Sequence, residues 1–202
     1  AMISIPSDEN ILGLSNWLAG ELVYRLCVAE CARIGFKLAE IDRLESTNAN
    51  GDLHVRIALP RYSETSRYIP HPQTLICVKA SYIPLALIER QELHEEYFET
   101  FDAERGAAYV LASTRQILDN SRTADYQRKM PRVVTQQVGK ARVMELEPHV
   151  FSRGTMRSWL SEHPAVQHWL LQKYASTERK VSNPSVNAPK NVIYSKRLQR
   201  PT

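Results

Sequence analysis

Between positions 11 and 44 apolar residues recur at intervals of three and four: Leu14, Trp17, Leu18, Leu22, Leu26, Ala29, Ile34, Leu38, Ile41 and Leu44. That is the period of a helix with one buried stripe. Ser7 or Asp8 offers an N-cap ahead of it. Gly20 and Gly35 predict joints that divide the segment into two or three helices. Residues 2 to 5 read as a short strand before it, and residues 46 to 52, with their Asn-Ala-Asn-Gly run, as a loop after it.

The period then changes. Residues 53 to 59, Leu-His-Val-Arg-Ile-Ala-Leu, alternate apolar and polar side chains and predict a strand with one wet face. Residues 75 to 83 predict a second strand, and the proline-bearing stretch between the two predicts an exposed loop closing an antiparallel ribbon. Pro84 suits a first helical turn. Residues 85 to 118 have helical composition divided at Gly106, with Leu87, Ile88, Leu93, Tyr97, Phe98, Phe101, Ala108, Val110, Leu111 and Leu118 assigned to the core. Residues 133 to 135 and 141 to 144 predict short strands on either side of Gly139, and residues 151 to 174 predict one or two helices interrupted at Pro164.

These elements predict a helix-rich α+β fold: a small antiparallel sheet with helical N-terminal and C-terminal segments. One globular domain is expected over residues 1 to 175. Residues 176 to 202, broken by proline and poor in large apolar side chains, are expected to form a flexible basic tail that orders only when bound. The coarse alternation of strands and helices also resembles a βαββαβ ferredoxin-like unit, an architecture that can present a sheet to RNA.

Charge changes the picture most. Residues 1 to 121 carry 11 Lys and Arg against 17 Asp and Glu, whereas residues 122 to 202 carry 15 against 5. The whole-chain net of +4 conceals this division. Cations gathered in one part of a chain are the electrostatic footprint of a protein that meets a polyanion. No apolar run approaches the roughly 20 residues that span a bilayer, so no membrane association is expected. Three cysteines, Cys27, Cys31 and Cys77, match no disulfide framework and point to a reducing, cytoplasmic setting.

The sharpest local signal is the segment 151 to 160, which looks like the opening of a helix-turn-helix recognition helix. Ser152 stands at the cap, Met156, Trp159 and Leu160 face inward, and Arg153, Thr155 and Arg157 are presented to phosphates or base edges. A second candidate runs from 28 to 44 with Gly35 at the turn, but Glu30, Glu40, Asp42 and Glu45 would face phosphates. A ribbon-helix-helix arrangement with Arg142 in a groove-inserted strand is the third. The tail adds Lys173, Lys196 and Arg197, a source of salt-sensitive phosphate affinity, and Tyr194 for stacking.

For catalysis the residues are uninformative: no phosphate-binding glycine loop, nucleophile elbow or paired metal-ligand motif occurs. His71, held between Pro70 and Pro72, is the one candidate acid or base. The leading expectation is therefore a homodimeric DNA-binding protein, a transcriptional regulator or part of a nucleoprotein complex. Its expected contacts are Arg142, Arg153, Thr155, Arg157, Lys173, Lys196 and Arg197, with no cofactor, metal or catalytic residue. An RNA-binding or RNA-processing protein is the alternative, and a noncatalytic protein-interaction module, docking through the acidic half, the second.

Overall fold

A computed structural model describes residues 6–36, 41–45, 53–90, 93–137 and 141–181. The chain opens with α1 (Asp8–Leu12), capped by Ser7, and α2 (Asn16–Arg33), whose N-cap Ser15 accepts from the Leu18 amide. Three strands follow, β1 (Ile41–Glu45), β2 (Leu53–Ala58) and β3 (Gln73–Lys79). Short 3₁₀ turns at Leu85–Arg90, Glu95–Phe98 and Ala103–Arg105 lead into β4 (Ala107–Ser113). The remainder is α3 (Asn120–Lys129), β5 (Val133–Gln136), β6 (Arg142–Phe151), α4 (Arg153–Ser161) and α5 (Pro164–Val181).

All six strands join one mixed sheet in the order β1-β2-β3-β4-β6-β5. β1, β2 and β3 form an antiparallel meander; β3, β4 and β6 run parallel; β5 returns antiparallel on β6. This overturns the small antiparallel sheet with terminal helices and the ferredoxin-like alternative. The main error lies in residues 107–113, read as helix. Ala-Ala-Tyr-Val-Leu-Ala-Ser is buried at every position, so both faces of this strand are covered and no polar alternation marks it. Gly106, at φ 68, makes the turn into it.

Side chains alternate between two cores. Ile76, Val78, Val110 and Ala112 face α1, α2, α4 and α5, which supply Ile11, Leu22, Leu26, Met156, Trp159 and Leu170. Leu75, Cys77, Tyr109 and Leu111 face the opposite layer, built from Ile88, Tyr97 and Phe98 of the 3₁₀ segments, Phe101 between two of them, Tyr126 of α3 and Met130 at its C-cap. The expected wet face of β2 is absent: His54 and Arg56 are buried, His54 stacked on Tyr97 at 4.2 Å and Arg56 paired with Asp42 at 2.8 Å.

α2 passes Gly20 without a joint. A Cβ there would lie 2.8 Å from Leu53 Cβ, so the glycine serves close helix–sheet approach. Gly35 does end the helix region, at φ 94. The second helix-turn-helix candidate fails beyond it, because Ile41–Glu45 is a strand. The expected strand at 2 to 5 lies outside the described residues.

Candidate nucleic-acid interface

The C-terminal ends of three parallel strands meet at one edge of the sheet, where open α/β sheets place their ligand crevices. Ser113, the last residue of β4, builds this edge. Its hydroxyl donates to Ser81 O at 2.9 Å and accepts from the Arg115 and Gln116 amides at 3.3 and 3.2 Å, turning the chain so that Arg115 projects outward. Gln116, buried, ties the surroundings together. Its Oε1 accepts from Ile83 N at 3.2 Å, its Nε2 donates to Tyr126 OH at 2.7 Å, and its carbonyl accepts from Arg153 N at 2.8 Å. Tyr126 OH in turn donates to Ile83 O at 2.6 Å. Burial, and the neighbouring Tyr82 phenol, raise the Tyr126 hydroxyl above the ordinary phenol range and keep it a donor. The loop after β3 and α3 are thereby locked to the Gln116 side chain, and the start of α4 to its backbone carbonyl.

From this edge an arginine track leads away. Arg115 and Arg122 stand beside it; Arg128 and Lys129 follow along α3, Arg132 comes after its end, and Arg142 opens β6. α3 covers roughly 15 Å. Arg132 O accepts from Leu146 N at 2.7 Å, which sets Arg132 alongside β6, about 13 Å of strand from Arg142.

The two halves of the molecule treat their cations differently. Around the helical layer, Arg25 and Arg43 share Glu21, Arg33 holds Glu30, Arg67 meets Glu162, and Arg153 and Arg157 both reach Asp8, at 3.8 and 3.1 Å. On the track, Arg128 and Lys129 pair with Asp125 and Glu89, but Arg115, Arg122, Arg132 and Arg142 have no carboxylate partner among the described residues and are exposed. Arg61, in the β2–β3 loop, is likewise exposed without a carboxylate partner among the described residues.

The residues expected to bind nucleic acid thus fall in separate places. Ser152 caps α4, accepting from Thr155 N at 3.4 Å, and Met156, Trp159 and Leu160 are buried, as the segment 151 to 160 implied. Arg153, its side chain 13% exposed, and Arg157 are drawn to Asp8 on α1. Lys173 lies on α5 next to Tyr174, whose hydroxyl bonds Asn10 O of the same helix α1. Arg142 is about 30 Å of strand away from Arg153. Lys196 and Arg197, like Tyr194, lie outside the described residues. Arg142 to Glu145 of β6 pair with β5 and Leu146 to Phe151 with β4, so the strand proposed for a ribbon-helix-helix belongs to this chain's own mixed sheet. Arg115 and Arg122 were not among the expected contacts; Arg115 belongs to the acidic half of the chain.

Other candidates resolve into structural roles. His71 Nδ1 accepts from the Gln73 amide at 3.0 Å and anchors its loop. The three cysteines are buried and form no disulfide among the described residues, and burial, with Cys31 and Glu30 nearby, pushes the Cys27 thiol well up. Among the described residues no three His, Cys, Asp or Glu are grouped to hold a metal ion, and no helix is long and apolar enough to cross a membrane.

No protein-family profile and no curated protein matches the chain. A solved structure of the DNA modification-dependent restriction endonuclease AspBHI is similar at 13% identity and a TM-score of 0.32, over 87% of this chain. The chain spans 44% of the length of that protein. A superposition this loose transfers nothing from one to the other.

Proposed function

We propose that this protein binds DNA by gripping the phosphate backbone along the track from Arg115 and Arg122 to Arg132 and Arg142. One observation carries the reading: arginines around the helical layer are neutralised by carboxylates, while these four are exposed without any among the described residues. Each carries a positive charge with no carboxylate paired to it among the described residues, and α3 adds Arg128 and Lys129, which pair with Asp125 and Glu89. One DNA strand presents a charge about every 3.4 Å of axis, so α3 alone matches about four phosphates. Such contacts position a protein on nucleic acid and carry no sequence information themselves.

In the fuller form of this reading the protein is a homodimeric component of a nucleoprotein complex or a regulator. Arg153, Thr155 and Arg157 contribute secondarily, because both arginines must exchange Asp8 for phosphate. Lys173, Lys196 and Arg197 supply further salt-sensitive affinity. Fluorescence anisotropy with duplex DNA at about 50 and about 200 mM salt tests the core of it. Binding that weakens steeply with salt, and weakens further in Arg132→Glu/Arg142→Glu, supports the track; equal affinity of that variant and the native chain removes it. A protein-contact reading is favoured by one feature, Val133 and Val143, both more than half exposed on the last two strands. Concentration-dependent sedimentation abolished by Val133→Lys would establish it.

A further inference from the structure

Beside the track's first two arginines lies a pocket of about 230 Å³ lined by Tyr82, Leu85, Leu118, Arg122, Asp125 and Tyr126. It is smaller than the roughly 300 to 1,000 Å³ that hold drug-sized ligands, and so fits a single small ring system. Its polar floor is already engaged. Tyr126 OH is used by Ile83 O and Gln116 Nε2, Gln116 Oε1 is used by Ile83 N, and Asp125 is held by Arg128 at 3.0 Å. A sugar or a metal ion would find few groups to bind. What the pocket presents instead is the 61% exposed ring of Tyr82 at its lip, the apolar flanks of Leu85 and Leu118, and the cation of Arg122. That set suits a flat ring with an anion attached.

We propose that this pocket receives one unpaired nucleobase of a bound strand, stacked on Tyr82 with its flanking phosphate on Arg122. The proposal rests on the phosphate-binding reading above and names what the edge of the track recognises. An aromatic ring takes any base, since every base has a π-face, and extrusion from a duplex is easiest where pairing is already lost. The preferred ligand is therefore a single strand or a mismatched site. Deoxyribose and ribose strands share the recognised chemistry.

The test compares short oligodeoxyuridylate, oligouridylate and an abasic phosphodiester oligomer of equal length by fluorescence anisotropy, using the full chain and Tyr82→Ala and Tyr82→Phe. The native chain is expected to bind a base-bearing strand about tenfold more tightly than the abasic one. Tyr82→Ala should erase that difference while leaving abasic affinity unchanged, and Tyr82→Phe should retain it; a preference between the two base-bearing strands identifies the sugar. Equal native affinity for base-bearing and abasic strands overturns the pocket, as does a Tyr82→Ala loss that falls equally on both. If the abasic oligomer itself fails to bind, the phosphate-binding reading falls and takes the pocket with it, so the two failures are told apart.

Discussion

His163 Nε2 lies 2.9 Å from Glu30 Oε2, a contact across 133 residues of sequence that joins the α4–α5 turn to α2 and leaves the carboxylate fully sequestered. Arg33 approaches the same carboxylate through Nη2 at 2.5 Å and Nε at 3.2 Å. Removing the acid leaves the buried His163 ring without its partner, while Arg33, half exposed, can turn to solvent. Glu30→Ala is expected to destabilise the fold by about 1 to 3 kcal/mol, the cost typical of an unsatisfied buried polar group. Urea unfolding at neutral pH measures it, and a loss below about 1 kcal/mol would show the cluster to be ornamental.

The same cluster predicts a pH dependence. Burial alone would raise the Glu30 carboxyl, but hydrogen bonds from Arg33, Ser66 and His163, with the Arg33 charge, outweigh it and hold the group below the ordinary value of 4.5. A carboxyl depressed on folding stabilises above its unfolded value and loses that contribution as pH falls through the folded one. The stability gap between the native chain and Glu30→Gln should therefore be full at neutral pH and shrink below about pH 4.5. Thermal melts of both proteins from pH 7 to pH 3 check the sign; a gap that widens in acid contradicts it.

At Gly20 two effects oppose each other. Alanine is better than glycine in a helix interior by about 1 kcal/mol, yet its Cβ would stand 2.8 Å from Leu53 Cβ, an atom fixed to the β2 backbone. Overpacking of this kind costs about 1 to 3 kcal/mol. Since α2 must move off the sheet along with Leu22, Val23 and Leu26, the clash should prevail. Gly20→Ala is expected to lower the melting temperature; a rise would mean that helix and sheet separate easily.

Much of this architecture was legible locally, and the exceptions share a cause. Ser7 and Ser152 were readable as caps, Pro164 as a break between helices, β2 from its alternation and β3 and β5 from their β-branched runs, because each signal lies within a few residues. β1 was hidden by Ile41 and Leu44, whose spacing of three continues the helical period of α2. β4 was hidden because a strand covered on both faces loses its alternation. Gly20 looked like a helix break because its partner, Leu53, is distant in sequence. For the proposed interface, the expected contacts included Arg142 but not Arg115, which belongs to the acidic half of the chain. The neutralisation of Arg157 by Asp8, 149 residues away, left no trace in either local pattern.

Gln116 is the keystone of the sheet edge. Replacing it by alanine leaves the Ile83 amide without its acceptor and deprives Tyr126 OH of its donor, both in buried surroundings. Unsatisfied groups of this kind cost about 1 to 3 kcal/mol. Gln116→Ala is expected to destabilise by about 2 kcal/mol and to increase hydrogen exchange in residues 80 to 84 and in α3 around Tyr126 ahead of the rest of the sheet. Uniform destabilisation, with no preference for those segments, would deny Gln116 its role as a local tie.

Charge reversal at two pairs of arginines decides where nucleic acid lies. Arg132 and Arg142 are exposed and have no carboxylate among the described residues, so Arg132→Glu/Arg142→Glu should lower the salt-dependence slope of DNA binding by about 2, one unit per lost phosphate contact, with little effect on stability. Arg153→Glu/Arg157→Glu should reduce binding less, because Asp8 already offsets those cations, and should cost up to about 1 kcal/mol of stability by setting like charges around α1. Asp8→Asn then separates competition from irrelevance. If the α4 arginines touch phosphate at all, freeing them strengthens binding; if they do not, affinity stays the same while the track variants still weaken it. The reverse ranking, with the α4 pair dominant, would move the interface to the N-terminal end of that helix and leave the α3 track as an ordinary solvated surface.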